Sequence, residues 1–263
     1  MLAQRIISAL IGIPLLIFII FKGDPYFLLA VFLLTLLALL EFKKMIKGAQ
    51  CKGLVLLLWI GALLFPLIFL LKYKYIIPIF MFYLLFCFGY YVLHYPRYSP
   101  LDLSFTLLGI IYILLGFFHL LLLRQLPGGF WLVLYLFIVV WGTDTGAYFT
   151  GMILGKHQLA PLISPKKTWE GFGGGVLISV LVAYIYSIYV PLDTGRILFY
   201  IAPFVSLTGQ LGDLFASSLK RFAKLKDSGQ IIPGHGGILD RFDSTLWAAP
   251  VTYYLLIILE RLL

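Results

Sequence analysis

The chain has 263 residues, of which 62% are hydrophobic and only 12% charged, with a formal net charge of +9. Soluble proteins carry roughly a quarter charged residues, so this composition excludes a water-soluble fold. Lys and Arg are spread over short loops between apolar blocks and form no long basic face, which points to anionic lipid and phosphorylated substrates and away from nucleic acid.

Uncharged apolar stretches of bilayer length fall at 6–21, 25–40, 54–71, 75–93, 103–123, 130–150, 172–190, 197–219 and 244–259. They predict an all-α polytopic integral membrane protein of about nine transmembrane helices. No internal repeat or low-complexity linker divides it, so residues 1–263 form one integral domain, with motif-free helices over 1–125 and the chemistry-bearing helices and loops over 126–263. The first span contains Pro14, follows Arg5 and is followed by no small-residue cleavage site, so it reads as an uncleaved anchor. It turns into the second through Lys22-Gly23-Asp24, a charged and flexible tripeptide suited to a helical hairpin. Cys51 and Cys87 show no ligand spacing and are read as reduced and incidental. The aromatics of the fifth span are read as lipid-facing packing and interface anchors.

Orientation follows from the cations, because Lys- and Arg-rich short loops stay in the cytoplasm. The N-terminus and the loops on its side hold fourteen of the 20, and the opposite side holds six. The N-terminus is therefore expected in the cytoplasm of a cell membrane and the C-terminus outside. Lys43, Lys44, Lys47 and Lys52 are read as a topology signal.

Residues 141–175 and 209–245 are polar and glycine-rich, and both fall on the cytoplasmic side. Asp144, in Trp141-Gly-Thr-Asp-Thr-Gly146, lies six residues from the cytoplasmic end of the sixth span, which is about 9 Å below the surface. Asp213, in Gly209-Gln-Leu-Gly-Asp213, lies at the same depth in the eighth. An aspartate in mid-span costs about 2.5–3.5 kcal/mol to insert. The matched pair predicts a shared cavity with compensating cations. A hydrogen bond to a neighbouring helix also accounts for Asp144 taken alone.

On a helix, Asp213, Ser217, Lys220 and Lys224 share one face, an acid inside and cations at its mouth. Asp240 and Asp243 are three apart where the chain re-enters the membrane, so both point one way if the helix has begun there. Hard oxygen ligands in this number suit Mg²⁺, which binds through one or two carboxylates plus substrate phosphates. Between them, the glycines of Gly229-Gln-Ile-Ile-Pro-Gly-His-Gly-Gly237 allow backbone amides to cradle phosphate, although glycine and proline also mark ordinary turns. Lys166 and Lys167, in Ser164-Pro165-Lys-Lys-Thr-Trp-Glu-Gly171, face either polyphosphate or anionic lipid. Ser164 is read there as an N-cap with Pro165 at the first helical position. Gly171, Gly173, Gly174 and Gly175 read as a tight helix-packing face of the seventh span.

The segment Ser217-x-Leu-Lys220-Arg221-x4-Lys226-Asp227-x-Gly229-x2-Ile232-Pro233-x-His235-Gly236-Gly237-Ile238-x-Asp240-Arg241-Phe242-Asp243 resembles the signature of the CDP-diacylglycerol synthases. Ser164 to Gly171 and Gly142-Thr-Asp144 look like that family as well, so the resemblance covers roughly 140–245. It implies that phosphatidate attacks the α-phosphorus of CTP, giving CDP-diacylglycerol and pyrophosphate, with Mg²⁺ required. On that reading Asp213, Asp240 and Asp243 hold one or two metal ions, a second cation of another kind being allowed. Lys220, Arg221 and Lys226 join them as the catalytic set. Lys166, Lys167, Asp144, Ser217, Asp227, His235, Gly236, Gly237 and Arg241 contribute to substrate binding. No general base is required, because a phosphate monoester is largely ionised near neutral pH. His235 is therefore expected as a hydrogen-bonding residue. A homodimer is expected from base rates alone. Two further readings fit the acids, a CTP-dependent polyprenol or dolichol kinase and an ion-coupled transporter; pyrophosphate as product separates the synthase from the kinase, and CTP dependence separates it from the transporter.

Overall fold

The computed structural model describes residues 2–71, 75–192, 194–231 and 236–262, without the side chains of 2–9, 65, 70, 261 and 262. Nine helices follow one another through these residues: α1 (Leu2–Lys22), α2 (Tyr26–Gly48), α3 (Val55–Leu70), α4 (Ile76–Leu93), α5 (Pro100–Gln125), α6 (Gly129–Leu154), α7 (Trp169–Tyr189), α8 (Gly195–Phe222) and α9 (Leu239–Leu262). Each overlaps one of the apolar stretches. Seven of them, α2 and α4 to α9, are long and apolar enough to cross a membrane, while α1 and α3 offer the shorter apolar stretches Leu10–Lys22 and Val55–Phe69.

The most buried of the seven long helices is α5. Its start is fixed by a reciprocal cap: Ser99 Oγ accepts the Asp102 N–H at 3.2 Å, and Asp102 Oδ2 accepts the Ser99 N–H at 2.8 Å, with Pro100 at the first position. The other oxygen of Asp102 accepts the Lys52 and Gly53 N–H groups at 2.6 and 3.0 Å, so this one carboxylate also ties down the α2–α3 connection. Residues Ile110–Leu114 form a π-helical segment, one extra residue in the turn. Phe105, Tyr112, Phe117 and Phe118 are all buried in protein, which corrects the expectation that the aromatics of this span face lipid. An all-apolar helix has no polar stripe to distinguish a lipid-facing side from a protein-facing one.

Helices α6 and α7 pack through small residues. A Cβ added at Gly146 would stand 2.7 Å from Ile178 Cβ, and one at Gly171 would stand 2.8 Å from the Ala147 carbonyl oxygen. Gly174 abuts Thr150 just as closely, whereas Gly173 has open space around it. The packing face expected from the glycine run therefore includes Gly171, Gly174 and Gly175, but not Gly173.

The connection between them is a two-stranded antiparallel hairpin, β1 (Gln158–Ala160) and β2 (Ser164–Thr168), pairing Gln158 with Thr168 and Ala160 with Ser164. Ser164 is thus a strand residue and not the expected N-cap. That role falls to Thr168, whose Oγ1 accepts the Gly171 N–H at 3.1 Å. The hairpin is pinned to α7 by Glu170, whose carboxylate meets His157 Nδ1 at 2.6 Å and accepts the Lys156 and His157 N–H groups at 3.1 and 3.2 Å.

Helix α8 ends in paired carbonyl-satisfying bonds, Leu225 N–H to Lys220 O at 2.8 Å and Lys224 N–H to Arg221 O at 3.0 Å, with Lys224 at φ 57°. Lys224 has therefore left the helix, and the shared face predicted for α8 stops at Lys220.

Candidate active site

The ends of α6, α7 and α8 together with the hairpin enclose a cavity of about 450 Å³ lined by Asp144, Lys166, Lys167, Gln210 and Asp213, among others. Asp144 lies ten residues from the end of α6 and Asp213 nine from the end of α8, which places both about 14–15 Å down their helices. The two acids thus stand at nearly equal distances from their helix ends, and each helix runs on past its apolar stretch.

The compensating cation comes from the hairpin. Lys167 Nζ stands 2.6 Å from Asp213 Oδ2, their side chains 27% and 31% exposed. Ser217, one turn along α8, places its hydroxyl 3.3 Å from Asp213 Oδ1. Strand β2 is what makes this possible, since its extended backbone carries Lys167 back over the cavity from the α6–α7 connection. Lys166 lines the same cavity, and Arg221 Nε donates to Ile163 O at 3.3 Å, joining the end of α8 to the hairpin.

Asp243 is buried at the fifth residue of α9, with Oδ1 accepting the Ser244 N–H at 2.8 Å. A Cβ at Gly212 would lie 2.6 Å from the Asp243 carbonyl oxygen, so the glycine lets α8 and α9 close up where Asp213 and Asp243 meet. Asp144, Asp213 and Asp243 all interact electrostatically with one another, with Lys167 and Arg241 acting on Asp144 and Lys220 acting on Asp243.

Asp240 belongs to a second, tighter arrangement. Its Oδ1 receives Lys220 Nζ at 2.6 Å, and its Oδ2 lies within 2.8–3.0 Å of Ser228 N, Ser228 Oγ and Gly237 N. Although α9 has begun by Leu239, Asp240 and Asp243 do not share a destination: Asp240 closes the loop before α9 and Asp243 faces the acids. Gly236 has φ +87°, and its Cβ position lies 3.0 Å from Asp240 Oδ2, so glycine meets both a backbone and a steric demand there. Lys226 and Asp227 are exposed in the α8–α9 connection. His235, with Ile232 and Pro233, lies outside the described residues.

Among the described residues no three His, Cys, Asp or Glu side chains are gathered closely enough to hold a metal ion by themselves. The arrangement still fits an ion bound through one or two carboxylates and completed by phosphate oxygens, because Asp213 and Asp243 are adjacent acids whose repulsion a divalent cation would relieve. Asp240, with both oxygens engaged by Lys220, Ser228 and Gly237, would have to release a donor to bind an ion, as Asp213 would have to release Lys167.

Two participants escaped the sequence reading. Glu41, seven residues before the end of α2, is fully buried and accepts the Ile238 and Leu239 N–H groups, both at 2.9 Å. In the sequence it is an isolated acid at the edge of an apolar run. Tyr112, in the π segment, is 5% exposed, and its hydroxyl has no hydrogen-bond partner among the described residues. It interacts electrostatically with Asp213, Asp240 and Asp243.

A bundle of apolar helices here collects acids and lysines around one cavity, charges suited to phosphorylated groups. Residues 3–259 match the model of the cytidylyltransferase family. A phosphatidate cytidylyltransferase of Staphylococcus epidermidis is 39% identical over 261 residues, covering 96% of this chain and 98% of that protein. Those of Staphylococcus saprophyticus and Bacillus subtilis are 40% and 38% identical, with 98% and 97% of their lengths covered. The chain belongs to the cytidylyltransferase family.

Proposed function

We propose that the protein transfers the cytidylyl group of CTP to phosphatidate, giving CDP-diacylglycerol and pyrophosphate for phospholipid synthesis. The observation that carries this reading is the facing of Asp144 and Asp213 by Lys166 and Lys167 around one cavity, in a chain whose relatives are named for that activity. The reaction joins two anions, so the site must offset their repulsion and the charge growing on the departing pyrophosphate. A phosphatidate oxygen forms a bond to the α-phosphorus of CTP while the bond from that phosphorus to the bridging oxygen of the β-phosphate breaks.

Lys166, Lys167, Lys220, Arg221, Lys226 and Arg241 would supply the cationic contacts, holding triphosphate and lipid phosphate in line. Asp213 and Asp243 would hold Mg²⁺, with Asp144 close by, and the ion would neutralise phosphate charge and fix the geometry of transfer. Asp240 would act by orienting Lys220 and the amides of Ser228 and Gly237. The second ionisation of a phosphate monoester, near pKa 6, makes a protein base unnecessary. The bias of fourteen cations to six supports an N-terminus in the cytoplasm and a site opening there, where CTP is found.

The test is conversion of phosphatidate in detergent micelles with CTP and Mg²⁺, following both products, for wild type beside Asp213→Asn. Equal amounts of CDP-diacylglycerol and pyrophosphate, lost in the folded variant, are expected. CDP with a phosphorylated lipid, or no turnover from folded wild type across several divalent ions, would overturn the reading.

A further inference from the structure

Glu41 lies 187 residues before Ser228 in the chain, in the half that carries no motif, yet it sits under the signature loop. Its Oε1 accepts the Ile238 N–H and its Oε2 the Leu239 N–H, both at 2.9 Å, and the Ser228 hydroxyl lies 3.0 Å from Oε2. The first amides of a helix have no partner within it, and here an acid from another helix satisfies those at the start of α9. The same Ser228 hydroxyl lies 2.8 Å from Asp240 Oδ2. Having one proton, it donates to one carboxylate at a time, and it thus bridges Glu41 to Asp240 and, through Asp240, to Lys220.

The loop is shaped to receive this carboxylate. A Cβ at Gly229 would run into the Glu41 carboxylate, and one at Gly237 would run into both Ser228 Oγ and that carboxylate. Further along α2, a Cβ at Gly48 would stand 2.5 Å from the Ala223 carbonyl oxygen, so α2 also abuts the end of α8 where the loop departs. Glycine at three positions brings one helix against both ends of the loop. An acid buried to 0% exposure carries a large desolvation cost unless fully paired, and every donor found for Glu41 belongs to residues 228–239.

We propose that Glu41 is a positioning residue for the transfer reaction: it fixes the signature loop and the first turn of α9, and through Ser228 and Asp240 it sets the place of Lys220. The role rests on the cytidylyl-transfer reading for its effect on turnover, and on geometry alone for its effect on the loop. It gives the N-terminal half of the chain a direct part in the chemistry of the C-terminal half.

The test compares Glu41→Gln, Glu41→Leu and Gly237→Ala with wild type in detergent micelles, by hydrogen–deuterium exchange and by kcat/KM for CTP. Leucine fills the space without accepting hydrogen bonds, while glutamine keeps one acceptor oxygen. Glu41→Leu is expected to raise exchange at least tenfold in peptides covering 226–240, with those of α6 and α7 unchanged, and to lower kcat/KM at least tenfold. Glu41→Gln should be intermediate in both, and Gly237→Ala, by pushing against the Glu41 carboxylate, should reproduce the loosened loop with Glu41 itself unsubstituted. Wild-type exchange and turnover in Glu41→Leu would overturn the proposal. So would exchange raised throughout the chain in both Glu41 variants, which would make Glu41 a general support of the fold. Should wild type form no CDP-diacylglycerol, the functional reading falls, and the exchange measurement still decides whether Glu41 holds the loop.

Discussion

The pair formed by Lys220 and Asp240 allows a quantitative test. The charges are 2.6 Å apart, with the side chains only 12% and 8% exposed, so water screens them little. Exposed pairs contribute about 0–1 kcal/mol. Removing one partner of a buried pair costs about 3–5 kcal/mol, because the other charge stays buried and unmatched. Lys220→Met leaves Asp240 Oδ1 without its cation, while Oδ2 keeps Ser228 and Gly237. Asp240→Asn leaves the Lys220 ammonium facing an amide. Each single variant should therefore lose about 3 kcal/mol against unfolding in mixed detergent micelles. The double variant, with no uncompensated charge, should lose less than either single one, a coupling energy of more than about 3 kcal/mol. All three should lack turnover. Additive losses in the double variant, or single losses under about 1 kcal/mol, would refute the argument from burial. Turnover restored in the double variant would show that these charges only support structure.

Three further outcomes follow from the geometry. Gly174→Ala should cost about 1–3 kcal/mol by forcing α6 and α7 apart at Thr150, whereas Gly173→Ala should leave the thermal midpoint unchanged. Asp144→Asn should lower the initial rate of pyrophosphate release at least tenfold and raise the Mg²⁺ concentration giving half-maximal rate, without loss of thermal stability. Thr168→Ala should cost about 1 kcal/mol through the lost cap and speed amide exchange in the first turn of α7.

The helices were legible because their signal is hydropathy summed over some twenty residues, which tolerates local error. Asp144 and Asp213 were legible for the opposite reason: single acids in apolar runs are costly, so each demands an account. The strand at Ser164–Thr168 was not legible, because serine before proline reads equally as a helix start and as extended chain. The burial of α5 was hidden by its uniformity, and Glu41 by its neighbours Lys43, Lys44 and Lys47, which suggested a loop already in water. The separate fates of Asp240 and Asp243 depend on a loop folding back onto the start of α9, which residue spacing does not encode.

The π segment of α5 bears on chain length. One extra residue in a turn shifts everything beyond it by about 100° around the helix axis. Before it, Asp102 and Thr106 bind the backbone of Lys52, Gly53 and Leu54; after it, Gly116 lies against Leu246 of α9. The two halves of α5 are thus set in registers one residue apart. Deleting a single residue from 110–114 would turn the segment into ordinary α-helix and leave both sets of contacts in place, at the expense of Tyr112's position. The same deletion elsewhere in α5 would swing half the helix onto the wrong neighbours, so tolerance of length change in this helix is confined to one turn beside the acids.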